Sequence, residues 1–307
     1  MTDSKLLIVG SIGMDTIETP QEKVERVLGG AAVFSATAAC QFTPTSVVGV
    51  VGDDFPAEYE KLMQDKGIDL SCVDKKPGQT FFWHGRYHED MNQRDTLDTQ
   101  LGVFGEFEPN ISAEHRKIPN VFLANIHPQL QLDVLDTMEG NPFVGLDTMN
   151  LWIENTPDLL RKVIERVNLI IVNDEEAKMI TGKTTVLDAA DALLDMGPEL
   201  AVVKKGDAGA MLFSKEQIFS TPAVPLRTAK DPTGAGDTFA GGMMGYIAHR
   251  GQPNFATFKQ AAVVGTVMAS FTVEDFSLNK IAHVKPEHIR ERIEKILEIT
   301  LFDKIDF

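Results

Sequence analysis

The sequence predicts an α/β fold with a mostly parallel central sheet, helices on both faces of that sheet, and a small second sheet. Short, uninterrupted apolar runs, typical of strands buried on both faces, alternate with segments of helical character. One segment, 79–103, instead mixes aromatic and charged residues in partial alternation. This pattern is typical of antiparallel strands with one wetter face, and it predicts the small sheet.

The apolar runs predict the strands of the central sheet, with helices between them. The strands are predicted at 6–10, 45–52, 121–125, 143–147, 168–173 and 200–205. The helices are predicted at 129–138, 156–166, 174–196 (as two helices divided near Gly182) and 286–299. A chain that alternates strands and helices in this way forms a parallel sheet covered on both sides.

The composition narrows the classes of function. The 307 residues include 45 Asp and Glu against 29 Lys and Arg, a net charge of −16. This balance disfavours nucleic acid and anionic membranes as partners, because both bind basic surfaces. The two cysteines, Cys40 and Cys72, are too few for a disulfide scaffold and do not form a metal-binding pair. With no long apolar signal segment at the start, we expect a cytoplasmic protein.

A glycine-rich segment, DPTGAGDTFAGG at 231–242, precedes an apolar stretch that is predicted to be helical. The amides of Gly234, Ala235, Gly236 and Asp237 would converge at the helix start, where unpaired N–H groups and the helix dipole favour an anion. The Asp237 carboxylate would stand beside this anion site, or it would only cap the helix. The glycines leave room for a ligand, which favours the first interpretation.

The segment 231–242 resembles the C-terminal signature of the ribokinase-like (PfkB) carbohydrate kinases, a family that includes nucleoside kinases. Further resemblances cover nearly the whole chain: VGSIGMD (9–15), GGAAVFSATAA (29–39), NDEE (173–176) and VVKKGDAGAMLF (202–213). The resemblance implies one domain, 1–307, with a ribokinase-like three-layer αβα fold. It also implies a lid, formed by the inserted segments of about 11–28 and 79–103.

The implied activity is ATP-dependent phosphorylation of a hydroxyl group on a small sugar or sugar-like polyol. Asp237 would act as general base on the acceptor hydroxyl, and the amides of 234–237 would hold the transferring phosphoryl group. Two alternatives stay open, namely a nucleoside kinase of the same family and a non-catalytic sensor of sugars or nucleotides. The presence together of Asp237, the glycine-rich anion site and the Asn-x-x-Glu element favours an enzyme.

The resemblance also implies sites for ATP and Mg²⁺. Asn173 and Glu176 would organise Mg²⁺ and phosphate through water, and Gly206 would lie along the nucleotide phosphates. Lys204 would face a phosphate, with a solvated lysine as the alternative. In these kinases the protein mainly positions the reactants and stabilises charge.

A monovalent cation such as K⁺ is a further expectation. Asp231 and Thr233 match positions that ligate such a cation in some relatives, and Thr233 also belongs to the expected nucleotide site. The loop near 271–278 would complete the cation site, but FTVEDFS does not resemble the usual pattern there.

The N-terminal motifs imply the acceptor site. Asp15 matches the substrate-binding aspartate, and Gly29 and Gly30 match the paired glycines that let the substrate approach the backbone. Phe34 stands where many relatives have an Asn that bonds a sugar hydroxyl. A phenyl ring cannot make that bond, so Phe34 either contacts the ligand or packs in the core.

Polar residues after two predicted strands are further candidates for substrate binding. Asn125, Asp147 and Asn150 would bind polar groups of the substrate, or Asp147 and Asn150 would fix their loop through Asx turns. The aromatic residues at 81–84 would pack on a sugar or nucleobase, or form a core within the lid. Because related lids often pair two subunits, we also expect a homodimer through the lid.

Overall fold

A computed structural model of the chain describes residues 5–251 and 254–303, with a large central sheet as its main feature. The strands of this sheet are β1 (Leu6–Val9), β4 (Thr45–Gly52), β5 (Asp69–Lys76), β8 (Asn120–Leu123), β9 (Phe143–Asp147), β10 (Leu169–Asn173), β11 (Leu200–Lys204), β12 (Ala210–Phe213) and β13 (Ile218–Thr221). Their order is β13-β12-β11-β10-β9-β8-β1-β4-β5. All neighbouring pairs are parallel except β11–β12 and β12–β13, which are antiparallel.

Helices cover both faces of the central sheet. They are α1 (Ala31–Ala39), α2 (Ala57–Asp65), α3 (Pro128–Thr137), α4 (Asn150–Asn155), α5 (Pro157–Ile164), α6 (Asp174–Thr181), α7 (Val186–Asp195), α8 (Ala235–Arg250), α9 (Phe255–Thr272) and α10 (Pro286–Thr300). Successive strand residues point to opposite faces. Leu6 and Ile8 therefore join the core formed with α1, α8 and α9, whereas Leu7 and Val9 join the core under α3, α5 and α7.

The predicted three-layer arrangement is confirmed, and each predicted apolar run contains a strand of the central sheet. Gly182 ends α6 in the left-handed conformation, with φ 69°, and so separates α6 from α7. The edge strands β5 and β13 lie outside the predicted runs, because their residues are partly exposed and lack a continuous apolar stretch. None of the helices within the described ranges is long and apolar enough to cross a membrane.

A small sheet stands apart from the central one. It consists of β2 (Gly13–Glu18), β3 (Lys23–Gly29), β6 (Phe81–Tyr87) and β7 (Arg94–Gln100), in the order β3-β2-β6-β7. Strands β2 and β6 are parallel, and the other two pairs are antiparallel. Ile17 and Tyr87 of this sheet pack on Phe276, in the loop that follows α9. The small sheet is therefore anchored beside the start of α8.

Small residues bring α8 unusually close to α1. A Cβ atom at residue 241 would overlap the backbone of Ser35, and one at residue 245 would lie 2.7 Å from the Cα atom of Ala39. The Ser35 hydroxyl donates a hydrogen bond of 3.0 Å to the backbone carbonyl of Asp237. Close contact between the two helices thus fixes the start of α8, where the predicted anion site lies.

Candidate active site

The turn that leads into α8 has a conformation that requires glycine. Gly234 is the N-cap residue of α8 and has a φ of 76°, in the left-handed region. A Cβ atom at this position would overlap the ring of Phe34, which is 1% exposed. Phe34 therefore packs beneath the turn, and this placement favours the packing interpretation that the sequence left open.

The first turn of α8 faces Lys204, at the carboxyl end of β11. Lys204 Nζ lies 3.1 Å from the position that a Cβ atom would take on Gly236, and 3.4 Å from Oδ1 of Asp147. Asp147 is itself buried, at the carboxyl end of β9. The structure thus places a lysine over the helix start, with a carboxylate on the far side of its ammonium group. This is an arrangement that can bind a phosphate.

Buried carboxyl groups outnumber the positive charges near the start of α8, and the pKa values of these carboxyl groups are raised. Burial raises the pKa of Asp237 to about 7, as does the charge of Asp147, although Lys204 and Arg94 oppose the shift. Burial also raises the pKa of Glu176 to about 7, again against the charge of Lys204. An acid with a pKa near neutrality is well suited to accept a proton during turnover.

Asp15 lies directly against the backbone of Gly29. A Cβ atom on Gly29 would overlap the Asp15 carboxylate. Burial raises the pKa of Asp15 to about 8, and the charges of Asp231 and Asp237 raise it further. Gly30 follows Gly29 and has a φ of 106°, in the left-handed region. The amide of the next residue, Ala31, donates a hydrogen bond of 3.0 Å to the Ser11 hydroxyl. The acceptor residues predicted from the N-terminal motifs therefore share one surface.

Asn173 and Glu176 form a capping box at the start of α6. The Asn173 side chain accepts a bond of 2.8 Å from the Glu176 amide, and Glu176 Oε2 accepts one of 2.8 Å from the Asn173 amide. Asn-x-x-Glu directly after a strand is a sequence signature of this arrangement, but the capping box was not among the predictions from the sequence. The capping box uses Oε2 of Glu176, and it fixes the side chain within the electrostatic reach of Lys204 and Asp147.

Asp231 and Thr233 lie in the turn before α8. The Thr233 amide donates a bond of 2.9 Å to Asp231 Oδ1. Asp231 is 0% exposed, and its Oδ2 atom makes no hydrogen bond within the part of the chain that the structure describes. Burial raises the pKa of Asp231 to about 6, while hydrogen bonding from Thr233 opposes the shift.

A cavity of about 730 Å³ opens beside the start of α8. Its lining includes polar residues, among them Lys204, Gly206 and the Gly236 backbone, and apolar residues, among them Val224, Leu226, Phe239 and Val273. The size is typical of a small-molecule site. Only the polar lining residues at the ends of α8 and β11 were predicted from the sequence. Phe239 lies within the glycine-rich segment, but Val224, Leu226 and Val273 come from segments that carry no motif.

The structure does not bring two of the predicted substrate-binding residues, Asn125 and Asn150, into contact with the group around Lys204. The Asn125 side chain accepts a bond of 2.9 Å from Trp152 Nε1 and donates one of 3.0 Å to Met149 Sδ. Asn150 is exposed at the first position of α4. Neither contact of Asn125 reaches the carboxylate group around Lys204, so its role stays a prediction, as does that of Asn150.

Residues of the small sheet that the sequence analysis did not select also reach the site. The Thr233 hydroxyl donates a bond of 3.0 Å to the hydroxyl of Tyr87, at the end of β6. Arg94, the first residue of β7, lies opposite Tyr87 in the hairpin. Its positive charge opposes the rise in the pKa values of Asp15, Glu176 and Asp237, which burial causes. A basic residue on an exposed strand gives little signal in the sequence, since most such residues are solvated.

Two sequence comparisons bear on the family. The profile of the pfkB family carbohydrate kinases matches residues 139–283. A cytidine kinase of Thermococcus kodakarensis is 33% identical over 256 residues, which cover 81% of this chain and 90% of that protein. The chain belongs to the pfkB family of carbohydrate kinases.

Solved structures with the same fold agree with this assignment. A nucleoside kinase of Burkholderia thailandensis, solved in complex with inosine, superposes with a TM-score of 0.78 at 20% identity, over 95% of this chain and 99% of that one. An E. coli protein described as a ribokinase II, solved with ATP and Mg²⁺, gives a TM-score of 0.75 at 19% identity, over 95% and 99%. At these identities, the similarity establishes the fold.

As a member of the pfkB family, the protein is an ATP-dependent kinase. Phosphoryl transfer from ATP calls for a divalent cation beside the phosphates, and Mg²⁺ is the usual one. Asp147, Glu176 and Asp237 interact with the charge of Lys204 and offer carboxylate oxygens, the ligands that Mg²⁺ prefers. Within the described residues, no three such side chains are gathered into a metal-binding group, so the remaining ligands of Mg²⁺ would be water and phosphate oxygens. Lys204 and the backbone of Gly206 and Gly236, which line the cavity, offer contacts for phosphates.

Proposed function

We propose that this kinase phosphorylates a hydroxyl group on the ribose of a nucleoside. The relative with 33% identity is a cytidine kinase, and a nucleoside kinase is among the similar structures. A kinase of a small sugar or polyol, which was the first expectation from the sequence, becomes the second candidate. A free sugar would use Asp15 and Gly29 in the same way, but it has no aromatic ring to stack on the Trp83 side chain beside them.

The observation that carries the nucleoside proposal is the position of Trp83. Trp83 is paired in register with Asp15, so both side chains lie on the same face of the small sheet. The indole lies on Gly85, where a Cβ atom would overlap the ring, and its Nε1 donates a bond of 3.2 Å to Thr96 Oγ1. An indole fixed in this way, beside a carboxylate for ribose hydroxyls, provides a stacking surface for a nucleobase.

The proposed chemistry uses the residues around the start of α8. Asp237 accepts the proton of the acceptor hydroxyl, and its raised pKa of about 7 suits that step. The amides of Gly234, Ala235, Gly236 and Asp237 hold the transferring phosphoryl group, with the helix dipole adding to the attraction. Asp15, Gly29 and Gly30 orient the ribose, so that its hydroxyl faces the phosphoryl group.

The donor site lies on the other side of the same helix start. The apolar lining residues of the cavity would hold the adenine of ATP, and Gly206 and Lys204 would contact the phosphates. Asn173 and Glu176 would hold Mg²⁺ through water. When bound, Mg²⁺ neutralises phosphate charge. Gly206 has a φ of 55°, in the left-handed region that favours glycine.

A substrate panel tests the proposal. We expect ATP-dependent turnover with cytidine, uridine, adenosine or inosine at a kcat/KM at least tenfold above that with ribose, fructose or inositol. In Gly85→Ala, the added Cβ atom displaces the indole, so KM for the nucleoside should rise while ribose turnover stays unchanged. Gly105→Ala is the matched control, since its Cβ atom meets only Leu101 at 3.4 Å. Higher kcat/KM for a free sugar would contradict the nucleoside proposal.

We also propose a monovalent cation site at Asp231. A buried carboxylate oxygen without a partner is costly unless a cation or a proton neutralises it, and Oδ2 of Asp231 is such an atom. Activity should therefore be higher in KCl than in choline chloride at equal ionic strength, and Asp231→Asn should lose the difference. Equal activity of the wild-type enzyme in the two salts would contradict the cation site.

The single domain with its small-sheet lid, and a homodimer formed through that lid, complete the proposal. The edge strand β7 has every residue exposed, and Leu97 is 41% exposed. Exposed edge strands readily pair with another chain. Light scattering should then give about twice the monomer mass of 33.8 kDa. A mass equal to that of the monomer would contradict the dimer.

A further inference from the structure

The small sheet forms a partly buried hydrogen bond with the turn that precedes α8. Tyr87, at the end of β6, is 5% exposed and packs with Ile17 and Phe276. Its hydroxyl accepts a bond of 3.0 Å from the hydroxyl of Thr233. Burial raises the pKa of Tyr87 above its ordinary value, so the hydroxyl keeps its proton at neutral pH. The bond therefore joins two neutral hydroxyl groups in a partly buried position, and Arg94 also interacts with the Tyr87 hydroxyl.

Thr233 occupies the middle of the turn from which α8 begins. Its amide is bonded to Asp231 Oδ1, and the next residue, Gly234, has a φ of 76°. The Thr233 side chain is thus held by the small sheet, while its backbone is held within the turn. Any rotation of this turn would redirect the amides of 234–237, because these follow directly in the chain.

A second contact between the small sheet and this turn is more exposed. Lys230 Nζ lies 3.1 Å from Glu22, in the β2–β3 turn, and 3.0 Å from Asp275. All three side chains are more than one third exposed. Exposed ion pairs contribute little to stability. Of these two contacts between the small sheet and the turn, the Tyr87–Thr233 bond is therefore the one better able to hold the turn.

We infer that Tyr87 is a positioning residue for phosphoryl transfer. It acts through Thr233 and keeps the amides of 234–237 converged on one point, as the proposed anion hole requires. This inference rests on the proposed function, because the anion hole is part of that proposal. It assigns to the small sheet a role beyond covering the substrate, since the sheet also completes the geometry of the donor side.

The test is Tyr87→Phe, which keeps the ring packed on Ile17 and Phe276 and removes only the hydroxyl. The matched control is Tyr246→Phe, on α8, whose hydroxyl donates a bond of 3.0 Å to Gln260 outside the site. Hydrogen exchange of the 234–237 amides is measured without ligand, so this readout needs no turnover. Steady-state kinetics then separate kcat from KM.

We expect exchange at 234–237 to increase roughly two- to tenfold in Tyr87→Phe, the factor that one net hydrogen bond represents. The value of kcat should fall by a similar factor, with an unchanged KM for the acceptor, and Tyr246→Phe should change neither quantity. Thr233→Val removes the other hydroxyl, so the double variant Tyr87→Phe/Thr233→Val should be no worse than Thr233→Val alone.

Either of two results would overturn this role for Tyr87: exchange in Tyr87→Phe equal to that in Tyr246→Phe, or additive effects in the double variant. An enzyme that phosphorylates neither nucleosides nor sugars would overturn the proposed function instead. The exchange measurement would still decide the role of Tyr87, because it depends only on the position of the turn.

Discussion

At the scale of single residues, several glycines of the site share one property: a Cβ atom would overlap a side chain that helps to form the site. These pairs are Gly29 with Asp15, Gly85 with Trp83, Gly206 with Asn92 and Gly234 with Phe34. Each glycine therefore lets a functional or supporting side chain lie directly on the backbone. The glycines determine where the neighbouring side chains lie, in addition to allowing special backbone angles.

Gly29→Ala tests this property at the acceptor site. The added Cβ atom overlaps the Asp15 carboxylate, so Asp15 must move away from the ribose position. The φ of Gly29 is outside the left-handed region, so alanine fits the backbone and the fold should survive. We expect KM for the acceptor to rise at least tenfold while KM for ATP stays within twofold, as measured by initial rates. An unchanged acceptor KM would show that Asp15 does not bind the substrate.

Site residues that belong to a sequence motif could be predicted from the sequence. Site residues that are brought there by the pairing of two strands could not. Asp237 and Gly234 stand next to each other in a glycine-rich run, so their chemistry is local. Tyr87 and Arg94 reach the site only because the β6–β7 register places them opposite each other, and because the hairpin lies over the turn before α8. A sequence of polar and aromatic residues does not specify such a register uniquely.

At the scale of elements, the small sheet carries both Asp15 and Trp83, so ligand binding should order it. We expect nucleoside binding to lower hydrogen exchange in β2 and β6, because the ligand adds contacts to both strands. Strand β5, at the far edge of the central sheet, serves as the internal control and should not change. Unchanged exchange in β2 and β6 at saturating nucleoside would rule out a lid that closes on the substrate.

The central sheet was predictable from the sequence because its inner strands are buried on both faces and read as continuous apolar runs. The parallel pairing of β2 with β6 was not, because it joins segments separated by β3, α1, β4, α2 and β5. The Asn173–Glu176 capping box could have been predicted from Asn-x-x-Glu directly after a strand.

At the scale of the whole molecule, the buried carboxyl groups make stability depend on pH. The pKa values of Asp231, Glu176, Asp237 and Asp15 are raised to about 6, 7, 7 and 8, mainly by burial. The folded state therefore binds more protons than the unfolded state between about pH 4 and pH 8, and stability falls as pH rises through this window. We expect a higher Tm at pH 6 than at pH 8 without ligand.

The net charge of −16 would produce a trend in the same direction, so the effect needs a matched control. Asp237→Asn and Asp188→Asn each remove one carboxyl group, but Asp188 is exposed in the first turn of α7. Only Asp237→Asn should reduce the difference in Tm between pH 6 and pH 8. Equal pH dependence in the two variants would assign the trend to net charge alone.

At lower pH, a different group reverses the trend. Burial alone would raise the pKa of Asp69, but hydrogen bonds from His115 and Ser71 outweigh it and hold this pKa well below its usual range. His115 Nε2 lies 2.8 Å from Asp69 Oδ2. This stabilisation is present above about pH 4 and is lost as the pH falls further. Stability should therefore pass through a maximum between about pH 4 and pH 6, as thermal melts across pH would show.

The central claim is that Asp237 accepts the proton of a hydroxyl beside a phosphoryl group held by the start of α8. The most direct measurement is the kcat of Asp237→Asn with ATP, Mg²⁺ and the best nucleoside, compared with Asp188→Asn. We expect a loss of ~10²–10⁴-fold in Asp237→Asn, the usual weight of a general base, with the fold and ATP affinity retained. Near-full turnover together with a lower Tm would instead show that Asp237 only caps α8.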